Sequence, residues 1–192
     1  MKTNKTAPSP DSSPLRTISV LVDNASGVLS QVSRLFSRKG YNIESLAVGT
    51  THDPAVSRIT VEVKADDART ALLCNQLRKL LPVHSVRLLD RGNCVRRELV
   101  LIKVKAAAED AADRVVQIAG IFRAHVIDVS PATLTLSVIG EEGKTAALVE
   151  LLREFGILEL VRTGMVALAR GERTIYEKTK ESGEFNYGKN VR

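Results

Sequence analysis

The chain has 192 residues, 44% apolar and 26% charged, enough for one large domain or two small ones; with four Phe, three Tyr and no Trp, the core must be aliphatic. The formal charge of +6 sits largely at the ends: residues 1–16 and 170–192 carry +2 each, leaving +2 for 17–169, too little for a nucleic-acid surface. No apolar run approaches the roughly 18 to 20 residues of a membrane span and no signal segment opens the chain, so a soluble cytoplasmic protein is expected.

Residues 1–15 hold three Pro, three Ser and two Lys before Leu15 and are expected as a flexible tail, too polar to repay their ordering entropy. Residues 16–90 then read as one βαββαβ unit. A β-branched strand over 17–23 passes through the polar turn Asp23-Asn24-Ala25-Ser26-Gly27 into a helix over 27–39, where Val28, Leu29, Val32, Leu35 and Phe36 recur at helical spacing. Asn24 or Ser26 suits its N-cap, and Gly40 suits its C-terminal cap. Strands follow over 42–50 and 56–64, turned by Thr51-His-Asp-Pro-Ala55; Ile59-Thr-Val-Glu-Val63 alternates at period two. A helix over 67–81 and a strand over 83–89 complete the unit.

Residues 91–97 are polar and contain Gly92, and they read as a linker. Residues 98–171 repeat the order: a strand from Glu98 to Lys105, a helix from Ala111 to Phe122, and a hairpin of Ala124–Val129 with Thr133–Ile139 across Pro131. A helix from Gly143 to Phe155 shows Leu148, Leu151, Leu152 and Phe155 on one face, and Ile157–Val161 closes the sheet. The segment from Arg162 to Gly171 either extends that strand or forms a short helix. Residues 172–192 mix charges, Gly and Asn and are expected as a second flexible tail, with Tyr176, Phe185 and Tyr187 as isolated aromatics able to anchor on a partner. The fold class is therefore α+β: two tandem ferredoxin-like βαββαβ sandwiches.

Catalytic signatures are missing. There is no GxSxG elbow, Walker loop, GxGxxG turn or HExxH helix, and no catalytic residue is assigned. Asp66-Asp67 and Glu141-Glu142 fall at helix starts, where carboxylates favour the dipole, and read as capping groups. Cys74 and Cys94 lack metal or CxxC spacing and read as free thiols; His52, His84 and His125 are dispersed, so no metal site is assigned. What remains is the strand-loop-helix junction at 18–30, which aims free N–H groups and the positive end of a helix dipole at whatever sits over the loop. A carboxylate suits that place.

The sequence resembles the small, regulatory subunit family of acetolactate synthase (acetohydroxyacid synthase), whose N-terminal half is an ACT domain. The resemblance rests on Ile18-Ser-Val-Leu-Val-Asp-Asn-Ala-Ser-Gly-Val-Leu-Ser30, Arg34-Leu-Phe-Ser-Arg-Lys-Gly-Tyr-Asn-Ile-Glu-Ser-Leu46, Asp53-Pro54, Ser57-Arg58-Ile-Thr60 and Gln76-Leu-Arg-Lys-Leu80. The second half adds Arg97-Glu98-Leu, Leu101-Ile-Lys-Val104, Ile121-Phe-Arg-Ala-His-Val-Ile-Asp-Val129 and Arg162-Thr-Gly-Met-Val-Ala-Leu-Ala-Arg-Gly171. It covers about 15–171 and neither tail.

The resemblance implies a chain without an active site, which stimulates a separate catalytic large subunit and confers feedback inhibition by valine, with leucine or isoleucine as further effectors. Thiamine diphosphate and Mg, with FAD as an option, would belong to that catalytic chain and no cofactor to this one. It also implies a homodimer through the ACT domains, in which Asn24, Ala25, Ser26, Gly27, Val28 and Leu29 of one protomer face Asn42 and Ile43 of its partner around a branched-chain amino acid. Helix N–H groups would hold the α-carboxylate, Asn oxygens the α-ammonium, and Val28, Leu29 and Ile43 the aliphatic side chain. The alternative is an ACT module that regulates another enzyme or transcription; the latter would require a DNA-binding element outside the two sandwiches, and none is legible.

Overall fold

The computed structural model describes residues 13–108 and 110–176. In the first half, β1 (Leu15–Asp23), β2 (Ile43–Thr50), β3 (Val56–Lys64) and β4 (Val83–Leu89) form an antiparallel sheet in the order β2-β3-β1-β4. Helices α1 (Val28–Arg38) and α2 (Asp67–Arg78) pack on one face of it. Ile18, Val20 and Val22 of β1 and Ile59, Val61 and Val63 of β3 point at Val32, Leu35, Phe36, Leu73 and Leu77, all of them nearly solvent-free. The period-two pattern of β1 and β3 and the 3.6-residue pattern of α1 meet in this core.

The second half repeats the plan. Strands β5 (Cys94–Lys105), β6 (His125–Ser130), β7 (Thr133–Gly140) and β8 (Ile157–Arg162) run in the order β6-β7-β5-β8, covered by α3 (Ala111–Ile121) and α4 (Glu142–Leu152). Val100, Ile102, Val104, Leu134, Leu136 and Val138 bury against Val115, Ala119, Leu148 and Leu152. Both halves are thus α+β sandwiches of the expected ferredoxin-like kind.

Several boundaries differ from the sequence reading, each for a physical reason. The expected linker is mostly structured: after a 3-10 turn at Arg91–Asn93, with Asp90 accepting from Gly92 N–H at 3.0 Å, strand β5 begins at Cys94. Its first four residues pair with β9 (Val166–Ala169), a partner some 70 residues away that local pattern cannot reveal. This resolves the segment after Arg162: it is a turn followed by a ninth strand, neither a longer β8 nor a helix. Helix α2 stops at Arg78, where the hydrogen bonds tighten to three-residue spacing, Lys79 N–H to Gln76 O and Leu80 N–H to Leu77 O, ahead of Pro82.

The α1 cap is also not as expected. Neither Asn24 nor Ser26 caps the helix; Gly27 is the N-cap in the left-handed region, and no side chain closes the end. Asp66 does cap α2, accepting from Arg69 N–H at 2.7 Å, whereas Glu141 at the start of α4 turns to Arg97 at 2.8 Å. Gly40 takes the expected left-handed conformation after α1. The tail readings for 1–12 and 177–192 lie outside the described residues, but 172–176 belong to the folded body: Ile175 is 5% exposed, and its carbonyl accepts from Ser85 Oγ of β4 at 2.8 Å.

The face of the first sheet turned away from its helices is covered by β9 and the start of β5. Leu89, Cys94 and Ala167 form a small apolar cluster there. Beside it the Arg96 guanidinium meets Glu62 at 2.6 Å, both buried, and Thr17 Oγ1 donates to the same carboxylate at 2.7 Å. Arg58 Nη2 donates to Ala167 O at 2.7 Å, and Met165 N–H to Ser45 Oγ at 2.7 Å. Burial pushes the Cys74 and Cys94 thiols up and holds them protonated, as befits packing residues.

Candidate functional site

The loop between β1 and α1 is exposed from Asn24 to Gly27, and α1 leaves it with an uncapped first turn. An α-helix begins with N–H groups that have no intrahelical acceptor; here Val28 N–H donates to Ala25 O of the loop at 3.4 Å, which leaves those of Leu29 and Ser30 without a side-chain cap. Gly27 has φ +83°, and a Cβ built there would meet nothing within 4 Å. Backbone conformation, not crowding, is what asks for glycine at this position.

Of the expected apolar walls, Leu29 is 42% exposed on the surface beside the loop, whereas Val28 is 6% exposed and belongs to the helix–sheet core. Val28 therefore offers its backbone to the loop and its side chain to the fold. Asn42 is exposed, with Nδ2 donating to Glu44 Oε1 at 2.9 Å, and Ile43 packs in part against the first core. These two stand at the far end of α1 from Gly27, about 16 Å away along eleven helical residues. A single protomer does not bring the two clusters together.

Asn24 is tied into the fold. Its Nδ2 donates to Pro54 O at 2.8 Å, its Oδ1 accepts from Ser57 Oγ at 3.0 Å, and its backbone N–H donates to Ala55 O at 2.7 Å. Next to the loop, Asp23 and His84 Nε2 meet at 2.6 Å. The sequence placed Pro54 only in the turn between β2 and β3 and gave Ser57 no role beyond its place in the resembling motif. The uncapped turn offers donors that suit an anion, and the remaining lone pair of Asn24 Oδ1 offers an acceptor that suits a cation.

An apolar groove of about 300 Å³ lies elsewhere, between β2 and β9, lined by Val48, Val95, Val166, Leu168, Arg58 and Arg97 among others. None of the expected effector residues lines it. Burial lowers the Arg58 pKa, opposed in part by Tyr176. The groove has the volume of a ligand site, but the uncapped helix end does not face it. Among the described residues no group of His, Cys, Asp and Glu is arranged to hold a metal ion, and no helix is long and apolar enough to cross a membrane.

Comparison with known proteins places both halves. A family described as an AHAS small subunit-like ACT domain matches residues 18–85, and one described as the small subunit of acetolactate synthase matches residues 97–171. The acetolactate synthase small subunit of Aquifex aeolicus is 46% identical over 164 residues, 85% of this chain and 85% of that one. The probable acetolactate synthase small subunit of Methanothermobacter thermautotrophicus is 44% identical over 158 residues, covering 82% of this chain and 94% of that one. The crystal structure of the acetolactate synthase small subunit from Thermotoga maritima superposes with a TM-score of 0.78 at 35% identity, covering 83% of this chain and 99% of that chain. With matching architecture in both halves and relatives of this similarity, the chain belongs to the acetolactate synthase small subunit family, the regulatory subunits that accompany a catalytic large subunit.

Proposed function

We propose that this chain stimulates the catalytic large subunit of acetolactate synthase and makes it sensitive to feedback inhibition by valine, or by another branched-chain amino acid, in valine, leucine and isoleucine biosynthesis. The observation that carries the reading is the uncapped, glycine-initiated N-terminus of α1, on a chain of this family. Its free N–H groups hold the effector carboxylate, Asn24 accepts from the ammonium, and Leu29 faces the aliphatic side chain. The chain contributes no active site; thiamine diphosphate, Mg and any FAD sit in the catalytic subunit, and the assembly works in the cytoplasm.

The effector site is completed by a second copy. Asn42 and Ile43 stand at the opposite end of α1 from the loop, so a two-fold pairing that runs two α1 helices antiparallel sets the loop of one protomer beside Asn42 of its partner. Strand β2 supports such a pairing: it is an edge, paired on one side with β3, and its eight residues include no Lys or Pro to blunt it. Binding across that interface shifts the arrangement of the two protomers, and the shift reaches the catalytic chain as inhibition.

The test is reconstitution. Acetohydroxyacid formation by the catalytic chain is measured alone and with this protein, across concentrations of valine, leucine and isoleucine. Higher activity on addition, with a saturable fall as effector rises, is expected. Absence of both stimulation and effector response overturns the reading.

A further inference from the structure

The turn between β2 and β3 holds the effector loop on one flank and the end of the described chain on the other. Within the turn, Thr51 N–H donates to Val56 O at 2.9 Å, Ala55 N–H to the Asp53 carboxylate at 2.9 Å, and Thr51 Oγ1 donates to Asp53 O and accepts from Asp53 N–H. These bonds knit residues 51–55 into one piece. Asn24 is fastened to this piece at Pro54 and Ala55 and to Ser57 just beyond it. On the other flank the His52 ring meets the Tyr176 ring edge-on, 5.5 Å between centroids, with the phenol oxygen 3.5 Å from Nδ1. Tyr176 is anchored in turn by buried Ile175, whose carbonyl accepts from Ser85.

We propose that residues 172–176 form an intramolecular strap that tunes the effector loop through the turn 51–55, which holds Asn24 at Pro54 and Ala55, with Ser57 as a positioning residue that completes the hold on Asn24. The proposal rests on the effector-site reading above. Two groups that bias the same piece are thermodynamically linked: what steadies the turn from the Tyr176 side lowers the ordering cost of the loop on the Asn24 side. The second half of the chain serves as an internal control. There the backbone bond is kept, Ala106 N–H to Ala132 O at 2.8 Å against Asn24 N–H to Ala55 O at 2.7 Å. The side-chain strut is not, since Ala106 stands in place of Asn24 and Leu134 in place of Ser57 by sheet register.

The experiment uses the complex of the catalytic subunit with the full chain and valine as the probe. Tyr176→Ala is expected to raise the valine concentration for half-inhibition about two- to tenfold, the range of one aromatic contact, and to leave stimulation without valine unchanged. Tyr176→Phe, which keeps the ring contact, is expected to stay within about twofold of the unmodified chain. Ser57→Ala, which removes one of the three bonds that hold Asn24, is expected to raise the half-inhibition value by itself, and Tyr176→Ala added to it is expected to shift that value less than it does in the unmodified chain, because the two act on one network. An unshifted Tyr176→Ala, or equal shifts in both backgrounds, overturns the strap while the effector reading stands. If the unmodified chain shows no response to valine, leucine or isoleucine, the effector reading falls, and amide hydrogen exchange of residues 24–28 decides the linkage alone: faster exchange in Tyr176→Ala supports it, and unchanged exchange overturns it.

Discussion

The two strand-loop-helix junctions of this molecule, one in each half, share a backbone and differ in side chains. In both, the residue after the first strand donates its N–H to the following hairpin, and the helix starts on a residue in the left-handed region: Gly27 at φ +83° in the first, Asp110 at φ +66° in the second. Both helices also close with a left-handed residue, Gly40 at φ +68° and Arg123 at φ +51°, after which Tyr41 N–H returns to Phe36 O at 3.0 Å and Ala124 N–H to Ala119 O at 2.8 Å. The difference is electrostatic. The second junction carries its own carboxylate where the first leaves a gap, so one helix end is open to an anion and the other brings its own. The proposed effector site thus turns on the residue at one loop position and not on the ferredoxin-like frame, which both halves share.

Both halves also carry a Thr–Glu–Arg cluster, and the sharpest break between them lies there. Thr17–Glu62–Arg96 is buried, with Arg96 side-chain exposure of 9%, whereas in Thr145–Glu98–Arg162 the Arg162 side chain is 34% exposed. Arg96→Ala strands a buried carboxylate and is expected to cost about 3–5 kcal/mol, a melting temperature lower by roughly 6–20 °C. Gly27→Asp copies the second junction into the first: Asp110 shows that the fold accepts this residue there, so the cost in stability is about 1–2 kcal/mol, while valine inhibition is abolished and stimulation survives in the reconstituted assay. Arg162→Ala, at a wetter site, is expected to cost only about 1–2 kcal/mol by chemical denaturation. The smallest effect is a gain: Asp110→Gly relieves the left-handed strain, worth about 0.5–1 kcal/mol net of glycine's extra chain entropy, and leaves the effector response untouched. Retained inhibition in Gly27→Asp breaks the comparison; a changed response in Asp110→Gly extends the site to the second half.

Much of the fold was legible because each half buries one face of its strands and one stripe of its helices, so the periods of Ile18–Val22, Ile59–Val63 and Leu148–Phe155 wrote the elements directly. What stayed hidden is what joins distant residues. The β5–β9 pairing, the Glu62–Arg96 pair and the docking of Ile175 on Ser85 link positions separated by 34 to 90 residues or carry no local periodicity. At the site, the motif located the loop, but capping preference pointed Asn24 the wrong way. Its side chain serves the neighbouring hairpin instead, with Nδ2 donating to Pro54 O and Oδ1 accepting from Ser57 Oγ, and makes no bond to the helix N–H groups. Val28 was read as a pocket wall on the strength of its apolar side chain, which the core claims instead.

Strand β5 runs unbroken from Cys94 to Lys105, its first four residues paired to β9 beneath the first sheet and the rest forming the middle of the second. At about 3.3 Å per residue this is a rod of roughly 40 Å with no joint at the boundary between the halves. The boundary between the halves is therefore a hydrogen-bonded strand, not a loose linker, and a displacement of one half bears directly on the other.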